Sequence, residues 1–387
     1  MHPSDETAHH VLPTELWLEV FSHLDARSYA ISHAPFQPVP GIAAEGKICR
    51  DYLSLILVCR QWRAWAMELL YRNFKLSDAN PSEPKLPLEY GPWVRRAVVP
   101  YTSTPTETFK PMPSTEILGR CSNLEVLVRP PLARSLFGGP RFEFDATCPS
   151  LSKLRRLDWW YHAEASRSGG INSLAAVLAL APNIEYLFVG GATNSFAVAF
   201  YRLDNNPIYL PRLRTLRINI ANAVLLRHIM YHWAVPVLEN LVLDVPFATD
   251  LLWEALGPRL TGVEFGKHVQ FLAEDHLGAC LRGCPAVREL NYHILITAPP
   301  VLNADVDVFP ALESLGVHLT DVPRLEDEAE EWASLARHFD AFCTDAFPNL
   351  RTLKLFGLTK GMAAHPRFVE IKKRVQAKGC MVIDLGA

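Results

Sequence analysis

The chain has 387 residues, of which 49% are hydrophobic and 20% are charged, and its formal net charge at pH 7 is −3. This composition is typical of a soluble protein with enough apolar residues for a large core. The near-neutral charge argues against nucleic-acid binding, and no apolar run approaches the ~20 residues of a membrane helix, so we expect no nucleic-acid or membrane partner.

The N-terminal region begins with a polar stretch, residues 1–11, which we expect to be a disordered tail without a signal peptide. A compact helix is predicted from Leu12 to Leu24, because apolar residues recur along one face of it. Pro13 suits the first turn of this helix, since its φ is already helical. The apolar face comprises Leu16, Val20, Phe21 and Leu24.

An irregular stretch, residues 26–50, interrupts this pattern with prolines and glycines that are typical of loops. An insertion of this length is tolerated if it leaves the domain as a surface loop. A second helical stretch is predicted over Leu53–Leu70, and the N-terminal module is expected to close near residue 76.

Short motifs in these helices resemble those of an F-box over about residues 12–76: Leu12-Pro13-x-Glu15-Leu16, Val20-Phe21-x-x-Leu24, Val58-Cys59-Arg60-x-Trp62 and Leu70-Tyr71. The resemblance implies a small all-helical module that docks on the Skp-type adaptor of a cullin–RING ubiquitin ligase. It also implies the residues that contact the adaptor: Leu12, Pro13, Leu16, Val20, Phe21, Leu24, Val58, Cys59 and Trp62. The 26–50 insertion departs from the usual form of the family.

Residues 77–115 contain eight prolines and are predicted to be a linker, within which Trp93–Val99 alternates like a strand that caps the following domain. A short sequence pattern, which we call the repeat phrase, recurs from about residue 116. It consists of three apolar residues, the second three positions after the first and the third two positions after the second, and a Pro often stands two positions before the first. The first positions of the repeat phrase are 124, 154, 184, 213, 238, 260, 287, 312 and 350. The mean step of about 28 residues lies within the range of about 20–29 for leucine-rich repeats.

The segments between these phrases carry apolar residues at helical spacing and are predicted helices: Ile171–Ala181, Ala223–Trp233, Asp250–Leu256, Phe271–Leu281 and Glu326–Phe342. Strands that alternate with helices run parallel through right-handed crossovers, and the units stack into one core. The predicted fold class is therefore α/β, a leucine-rich-repeat-like right-handed solenoid over residues 116–387 with concave strands and convex helices. A helix at Pro366–Lys378 and a strand at Cys380–Leu385 are expected to form its cap, residues 366–387.

The strand residues that alternate with the core positions point to the concave side. We expect a protein substrate to bind there, on Arg156, Asp158, Trp160, Tyr186, Phe188, Arg217, Asp244, Glu264, His293 and His318. Trp160, Tyr186 and Phe188 would be the anchors of such an interface if they are exposed. The alternative is that these three side chains pack on the 77–115 linker.

Motifs for catalysis or metal binding are weak. His228 and His232 have the spacing of a zinc protease, but Ile229 stands where that chemistry needs a Glu. Cys280 and Cys284 have no second pair of ligands nearby in the sequence. The acidic run at 326–331 is typical of carboxylates in a first helical turn, with a partner site as the alternative. We therefore expect no catalytic residue, metal or cofactor.

An F-box followed by leucine-rich repeats is a known arrangement of substrate receptors, and the whole chain resembles that class, in particular its fungal members. We therefore expect a non-catalytic substrate-recognition subunit of a cullin–RING ligase. The eight scattered cysteines favour a reduced compartment, the cytoplasm or the nucleus. The main alternative is a leucine-rich-repeat scaffold that is not assembled into a ligase, and an enzyme is disfavoured because no catalytic constellation is evident.

Overall fold

The computed structural model describes residues 13–22, 31, 33–40, 53–75, 88–98, 118–131, 151–161, 170–191, 207–221, 223–319 and 328–386 of the chain. Within these ranges the chain builds one parallel sheet of 12 strands with helices in its crossovers. The predicted tail at 1–11, most of the predicted linker at 77–115 and the start of the acidic run at 326–331 lie outside the described residues.

The large sheet adds its strands in chain order, and each described pair of neighbours is parallel. Its strands are β1 (Asn73–Lys75), β2 (Arg96–Val98), β3 (Val126–Arg129), β4 (Arg156–Tyr161), β5 (Tyr186–Gly191), β7 (Thr215–Asn219), β9 (Asn240–Leu243), β10 (Gly262–Phe265), β11 (Glu289–His293), β12 (Ser314–His318), β13 (Thr352–Phe356) and β14 (Met381–Asp384). Two further strands, β6 (Ile208–Tyr209) and β8 (Trp233–Ala234), pair with each other outside it. The predicted solenoid of parallel strands is confirmed.

The helices lie near their predicted positions. They are α1 (Thr14–Ser22), α2 (Arg60–Arg72), α3 (Gly170–Leu180), α4 (Ala223–His232), α5 (Thr249–Leu256), α6 (His276–Gly283), α7 (Glu328–Phe342), α8 (Lys360–Ala364) and α9 (Pro366–Ala377). Short 3-10 turns add Leu88–Trp93, Gly257–Arg259, Val269–Leu272 and Ile294–Ile296.

Two predicted helices are wrong as single elements, and a capping residue accounts for each break. The stretch predicted over Phe271–Leu281 is divided into a 3-10 turn and α6, because the Asp275 carboxylate accepts a hydrogen bond from the Gly278 N–H at 2.8 Å. The stretch predicted over Leu53–Leu70 is interrupted before α2, where Cys59 Sγ accepts from the Trp62 N–H at 3.4 Å.

The strands divide their side chains between two faces, as the alternation predicts. Leu157 and Trp159 enter the main core, where Leu157 is paired in register with Leu187 of the next strand. Trp160 and Phe188 belong to a separate apolar cluster on the opposite face. Because equivalent residues stack from strand to strand, the core is one continuous layer along the solenoid.

One core position holds a charged residue. Arg129 stands where the repeat phrase calls for a third apolar residue, and it is 2% exposed. Its guanidinium carbon lies 4.4 Å from the ring centroid of Trp159 on the neighbouring strand. This cation–π contact is one favourable interaction of a guanidinium at an otherwise apolar position.

The sheet begins at the end of the N-terminal module, which was expected to span residues 12–76. β1 follows α2 directly and pairs with β2 through Phe74 and Ala97. The module is helical up to this strand, and the strand predicted at Trp93–Val99 is the second strand of the sheet. Tyr71 and Tyr90, whose ring centroids are 4.4 Å apart, pack beside this junction.

The C-terminal end closes the last layer of the core. Three residues of α9, namely Phe368, Ile371 and Val375, are buried in the main cluster. β14 adds to β13 through Leu353 and Val382, and the Cys380 thiol donates to the Leu350 carbonyl at 3.1 Å. These contacts agree with a cap over the final repeat.

Deleting residues 366–387 should cause aggregation or a large fall in melting temperature. The deletion exposes the core layer under Leu353 and Leu355, and an uncapped terminal repeat is poorly soluble. Thermal unfolding and size-exclusion chromatography of the deleted and intact chains give the answer. A deleted chain that stays monomeric and melts with the intact one would show that α9 and β14 do not cap the solenoid.

His338 on α7 is a buried titratable group in this core. It is 0% exposed, and its Nδ1 lies 3.2 Å from the Tyr292 hydroxyl. Burial disfavours the charged imidazolium and lowers the pKa of His338 to about 4. The side chain is therefore neutral in the folded protein over most of the accessible pH range.

His338 should make the protein less stable in mild acid. Between pH 6.5 and 4 the unfolded chain binds a proton that the folded chain excludes, so the free energy of unfolding falls as the pH is lowered. The loss amounts to about 3 kcal/mol across that window. Urea unfolding of wild type and His338→Gln from pH 7 to pH 4 measures it, since the carboxylates common to both chains cancel. Parallel curves for the two proteins would contradict the assignment.

Candidate functional site

The concave face of the sheet carries a line of charged side chains. Arg217 binds Asp244 through two hydrogen bonds, from Nε to Oδ2 at 2.8 Å and from Nη2 to Oδ1 at 2.7 Å. Arg156 binds Asp158 at 3.0 Å and lies over the Tyr186 ring with its guanidinium carbon 4.2 Å from the centroid. Tyr186 also interacts electrostatically with Arg217, so the predicted concave residues of β4, β5 and β7 form one connected group with Asp244, which follows β9.

These predicted site residues are not exposed, contrary to expectation. Trp160 is 7% exposed and Phe188 is 0% exposed, while Arg217, Asp244 and Glu264 each expose less than 5%. The side chains of Tyr186 and Asp158 are also buried. A partner therefore cannot reach this part of the sheet without displacing the residues that cover it. Whether the predicted site residues bind a substrate stays a prediction.

The 26–50 insertion supplies cover for this face, whereas most of the 77–115 linker that was the alternative lies outside the described residues. We call residues 31 and 33–40 the inserted segment. Val39 packs on the Trp160, Tyr186 and Phe188 cluster, and the Trp160 indole N–H donates to the Pro40 carbonyl at 2.7 Å. These residues of the insertion therefore lie on the sheet, where their apolar side chains and carbonyls have partners.

The inserted segment also binds the charged line. Arg217 Nη1 donates to the Gln37 carbonyl at 2.9 Å and to the Pro38 carbonyl at 3.2 Å. Glu264 Oε2 accepts from the Phe36 N–H at 3.0 Å and lies 3.4 Å from His33 Nε2. Nearly buried charges on two strands thus hold the backbone of residues more than 170 positions away in the chain.

Phe36 lies at a turn and inserts its ring among aromatic side chains. Its ring centroid is 5.1 Å from that of His293, 4.9 Å from His318 and 4.8 Å from Phe356, each in an edge-to-face geometry. These arrangements are the favoured ones for aromatic pairs. The two histidines predicted as concave residues therefore form a pocket for an aromatic side chain, which periodicity alone did not reveal.

A cavity of about 290 Å³ lies between the inserted segment and the sheet. Ile31, His33 and Pro35 line one side of it, and polar strand residues that include Asn240 and Asn291 line the other. The segment therefore covers the face without filling it.

Burial opposes the charge on both members of the central ion pair, and it raises the pKa of the Asp244 carboxyl above its ordinary value although Arg217 acts in the opposite direction. Burial acts against the charge of Arg217, but the attraction of Asp244 outweighs it and raises the pKa of Arg217 above its ordinary value. Burial also raises the pKa of Tyr186 to about 12, so its hydroxyl stays protonated beside the guanidinium groups. The face therefore offers fixed charges and hydrogen-bond donors.

The N-terminal module divides the predicted adaptor residues into two sets. Phe21 is 1% exposed and packs with Trp17 and Trp62, whose ring centroids lie 6.0 Å and 5.0 Å from it. Phe21 is thus buried inside the module in the free chain, and its contact with an adaptor stays a prediction. The reason for the burial is helical phase, since Trp17 and Phe21 share one face and Leu16 and Val20 share the next.

Leu16 and Val20 are 50% and 49% exposed, and Val58 is 58% exposed. Exposed apolar side chains concentrated on a small module are typical of an interaction surface. Leu53 and Leu57 are also exposed there and were not predicted as contacts. Pro13 is exposed ahead of α1 and its carbonyl accepts from the Leu16 N–H at 3.1 Å, whereas Leu12 and Leu24 lie outside the described residues.

The weak chemical motifs do not assemble into a site in the part of the chain that the structure describes. His228 and His232 stack with ring centroids 4.9 Å apart. Across those ranges no three His, Cys, Asp or Glu side chains are grouped to hold a metal ion, and no helix is long and apolar enough to cross a membrane. Burial raises the pKa of the Cys121 thiol to about 11 and that of Cys280 well above its usual value, so neither thiol is an activated nucleophile.

Comparison with known proteins gives a family for the first module. Residues 9–77 match the family model described as F-box-like, and domains of that family generally bind Skp-type adaptors. A search of the curated proteins found no match. Among solved structures, the leucine-rich repeat-containing protein LegL7 from Legionella pneumophila is similar, with 12% identity, a TM-score of 0.35 and coverage of 73% of this chain and 99% of that chain.

The two parts of the chain define its class. An F-box-like domain at residues 9–77 precedes a solenoid in which the repeated apolar phrase forms successive parallel strands. The solenoid assignment depends on this strand order within the chain itself. The chain thus combines an F-box-like domain with a leucine-rich-repeat-like solenoid, and proteins that combine these two parts are generally non-catalytic and work through protein interaction.

Asp244→Ala should destabilise the protein strongly, by about 3–5 kcal/mol, because it leaves the Arg217 charge buried without its carboxylate. Replacing both partners, in Arg217→Met with Asp244→Leu, should cost much less, since no buried charge is left behind. Urea unfolding of wild type, the single variant and the double variant compares these costs. A double variant less stable than the single one would mean that the pair itself stabilises the fold.

Proposed function

We propose that this protein is the non-catalytic substrate-recognition subunit of a cullin–RING ubiquitin ligase. The F-box-like module would bind a Skp-type adaptor, and the concave side of the solenoid would bind the protein to be modified. The observation that carries the proposal is the F-box-like match at residues 9–77 on a module with half-exposed Leu16 and Val20.

The mechanism of such a subunit is proximity. Holding a target near a conjugating enzyme makes the transfer effectively intramolecular and raises the local concentration of the target, without any bond made by the receptor. The fixed charges and protonated thiols described above suit a binding role. Assembly of this kind would take place in the cytoplasm, the nucleus or both.

A scaffold that does not join a ligase is the second candidate, and one observation favours it. The inserted segment lies between the two helical motifs of the F-box-like module and is bonded to the solenoid through Arg217 and Glu264. An adaptor must therefore bind a module whose own chain is partly held elsewhere. Binding of the adaptor by the wild-type chain separates the two candidates.

The double variant Leu16→Asp with Val20→Asp should lose the adaptor. Burial of each apolar side chain contributes ~1.5–3 kcal/mol, so removing two should weaken binding by about a hundredfold or more. The measurement is copurification of a Skp-type adaptor and a cullin with the tagged chain from coexpressing cells, together with a melting curve. Because both side chains are half exposed in the free protein, we expect the melting temperature to stay near that of wild type.

Val301→Asp is the matched control, since Val301 is an exposed apolar residue of a solenoid loop far along the chain from α1. It should retain the adaptor. Undiminished copurification by the double variant would show that α1 is not the docking surface. A wild-type chain that captures no adaptor at all would instead favour the scaffold.

A further inference from the structure

The inserted segment is bonded to the concave face as a peptide is bonded to a receptor. Its carbonyls at residues 37, 38 and 40 accept hydrogen bonds from Arg217 and Trp160, and its N–H at residue 36 donates to Glu264. These bonds use backbone groups, which every protein segment carries. Any chain that follows the same path, including the turn at Phe36, can make them whatever its side chains.

Specificity comes from two places where side chains of the segment are enclosed. Phe36 enters the pocket formed by His293, His318 and Phe356. Val39 covers the aromatic cluster at Trp160. An aromatic residue followed three positions later by a small apolar one is therefore the pattern that this face selects.

Proline gives the segment its shape. Pro35, Pro38 and Pro40 restrict the backbone to extended conformations, which reduces the entropy lost when the segment is held on the sheet. Phe36 departs from this with a φ of 60°, a left-handed conformation that is strained for a bulky residue. The strain weakens the hold of this particular segment relative to a chain that makes the same contacts without it.

We propose that the concave face is a binding groove for an extended, proline-containing protein segment that carries an aromatic residue, and that residues 33–40 are its built-in competitor. The partner would take the place of the inserted segment, with its carbonyls on Arg217 and Trp160 and its aromatic ring in the His293–His318–Phe356 pocket. This inference rests on the concave face being the recognition surface in the proposed function.

The tether sets the strength of the competition. A segment attached to its own receptor acts at an effective concentration on the order of millimolar, so an external segment of equal affinity must exceed that concentration to displace it. The apparent affinity for a partner then equals the intrinsic affinity multiplied by the fraction of time that the groove is open. Release of the inserted segment would restore it.

The test uses the full chain and a fluorescent synthetic peptide with the sequence of residues 31–40. In one variant residues 33–40 are replaced by Gly and Ser at the same length; in a second, Phe36→Ala loosens the segment while keeping its backbone. Fluorescence anisotropy should show peptide binding at least tenfold tighter to the replaced chain than to wild type. Phe36→Ala should lie between the two.

Two controls establish that the peptide binds in the aromatic pocket. A peptide with alanine in place of the phenylalanine should bind the replaced chain at least tenfold more weakly, because it leaves the aromatic pocket unfilled. Adding His318→Ala to the replaced chain should weaken the phenylalanine peptide to a similar extent. Melting curves and circular dichroism establish that each variant is folded.

Equal peptide binding by wild type and both variants, or binding that does not depend on the phenylalanine, would overturn the proposal. So would a folded replaced chain that binds no peptide. If the replaced chain does not fold, Phe36→Ala decides between the same outcomes. Adaptor copurification, measured on the same variants, reports on the F-box-like module alone, so a failure of ligase assembly is distinguishable from a failure of the groove.

Discussion

The structure depends on the stacking of equivalent strand residues in one register. Leu157, Leu187 and Leu216 are directly paired across β4, β5 and β7, and the same ladder continues to Leu353 on β13. No single repeat can bury its apolar face, so each is stable only because its neighbours cover it. The ladder keeps all the concave side chains in rows as well, because residues next to a core position alternate to the other side. The strand register therefore determines the position of each side chain on the concave face.

The second constraint is that the concave face is itself mostly buried at its centre. A sheet that buries both faces requires partners on both, and charged residues such as Arg217 and Glu264 are tolerated there only with hydrogen-bonded neighbours. Helices cover the convex side, while the inserted segment supplies carbonyls, an N–H and apolar side chains on the other. The same contacts explain why a proline-rich insertion with no regular structure of its own lies at defined positions.

Much of the fold could be predicted, because period and alternation are local properties of the sequence. The strand sets at Leu157 and Trp159, the solenoid and the F-box-like module all followed from residues a few positions apart. The burial of Trp160 and Phe188 could not be predicted in this way, since their cover comes from residues more than 100 positions earlier. Nothing in the periodicity of residues 26–50 indicates which surface they contact. The burial of Phe21 could not be predicted either. The sequence of α1 offers two adjacent apolar faces, and only the contact between Phe21 and Trp62 shows which of them is buried.

The pairing of β1 with β2 has a mechanical consequence. The last residues of the F-box-like module, Asn73–Lys75, are the first rung of the same hydrogen-bonded sheet that forms the solenoid. A ladder of backbone hydrogen bonds resists bending far more than a flexible linker does. A protein bound to α1 and a protein bound to the concave face would therefore be kept at a fixed distance and angle from each other. Such a fixed geometry restricts which points on the second body an external catalyst can reach. The number of repeats in the solenoid would then set the distance between the two bodies.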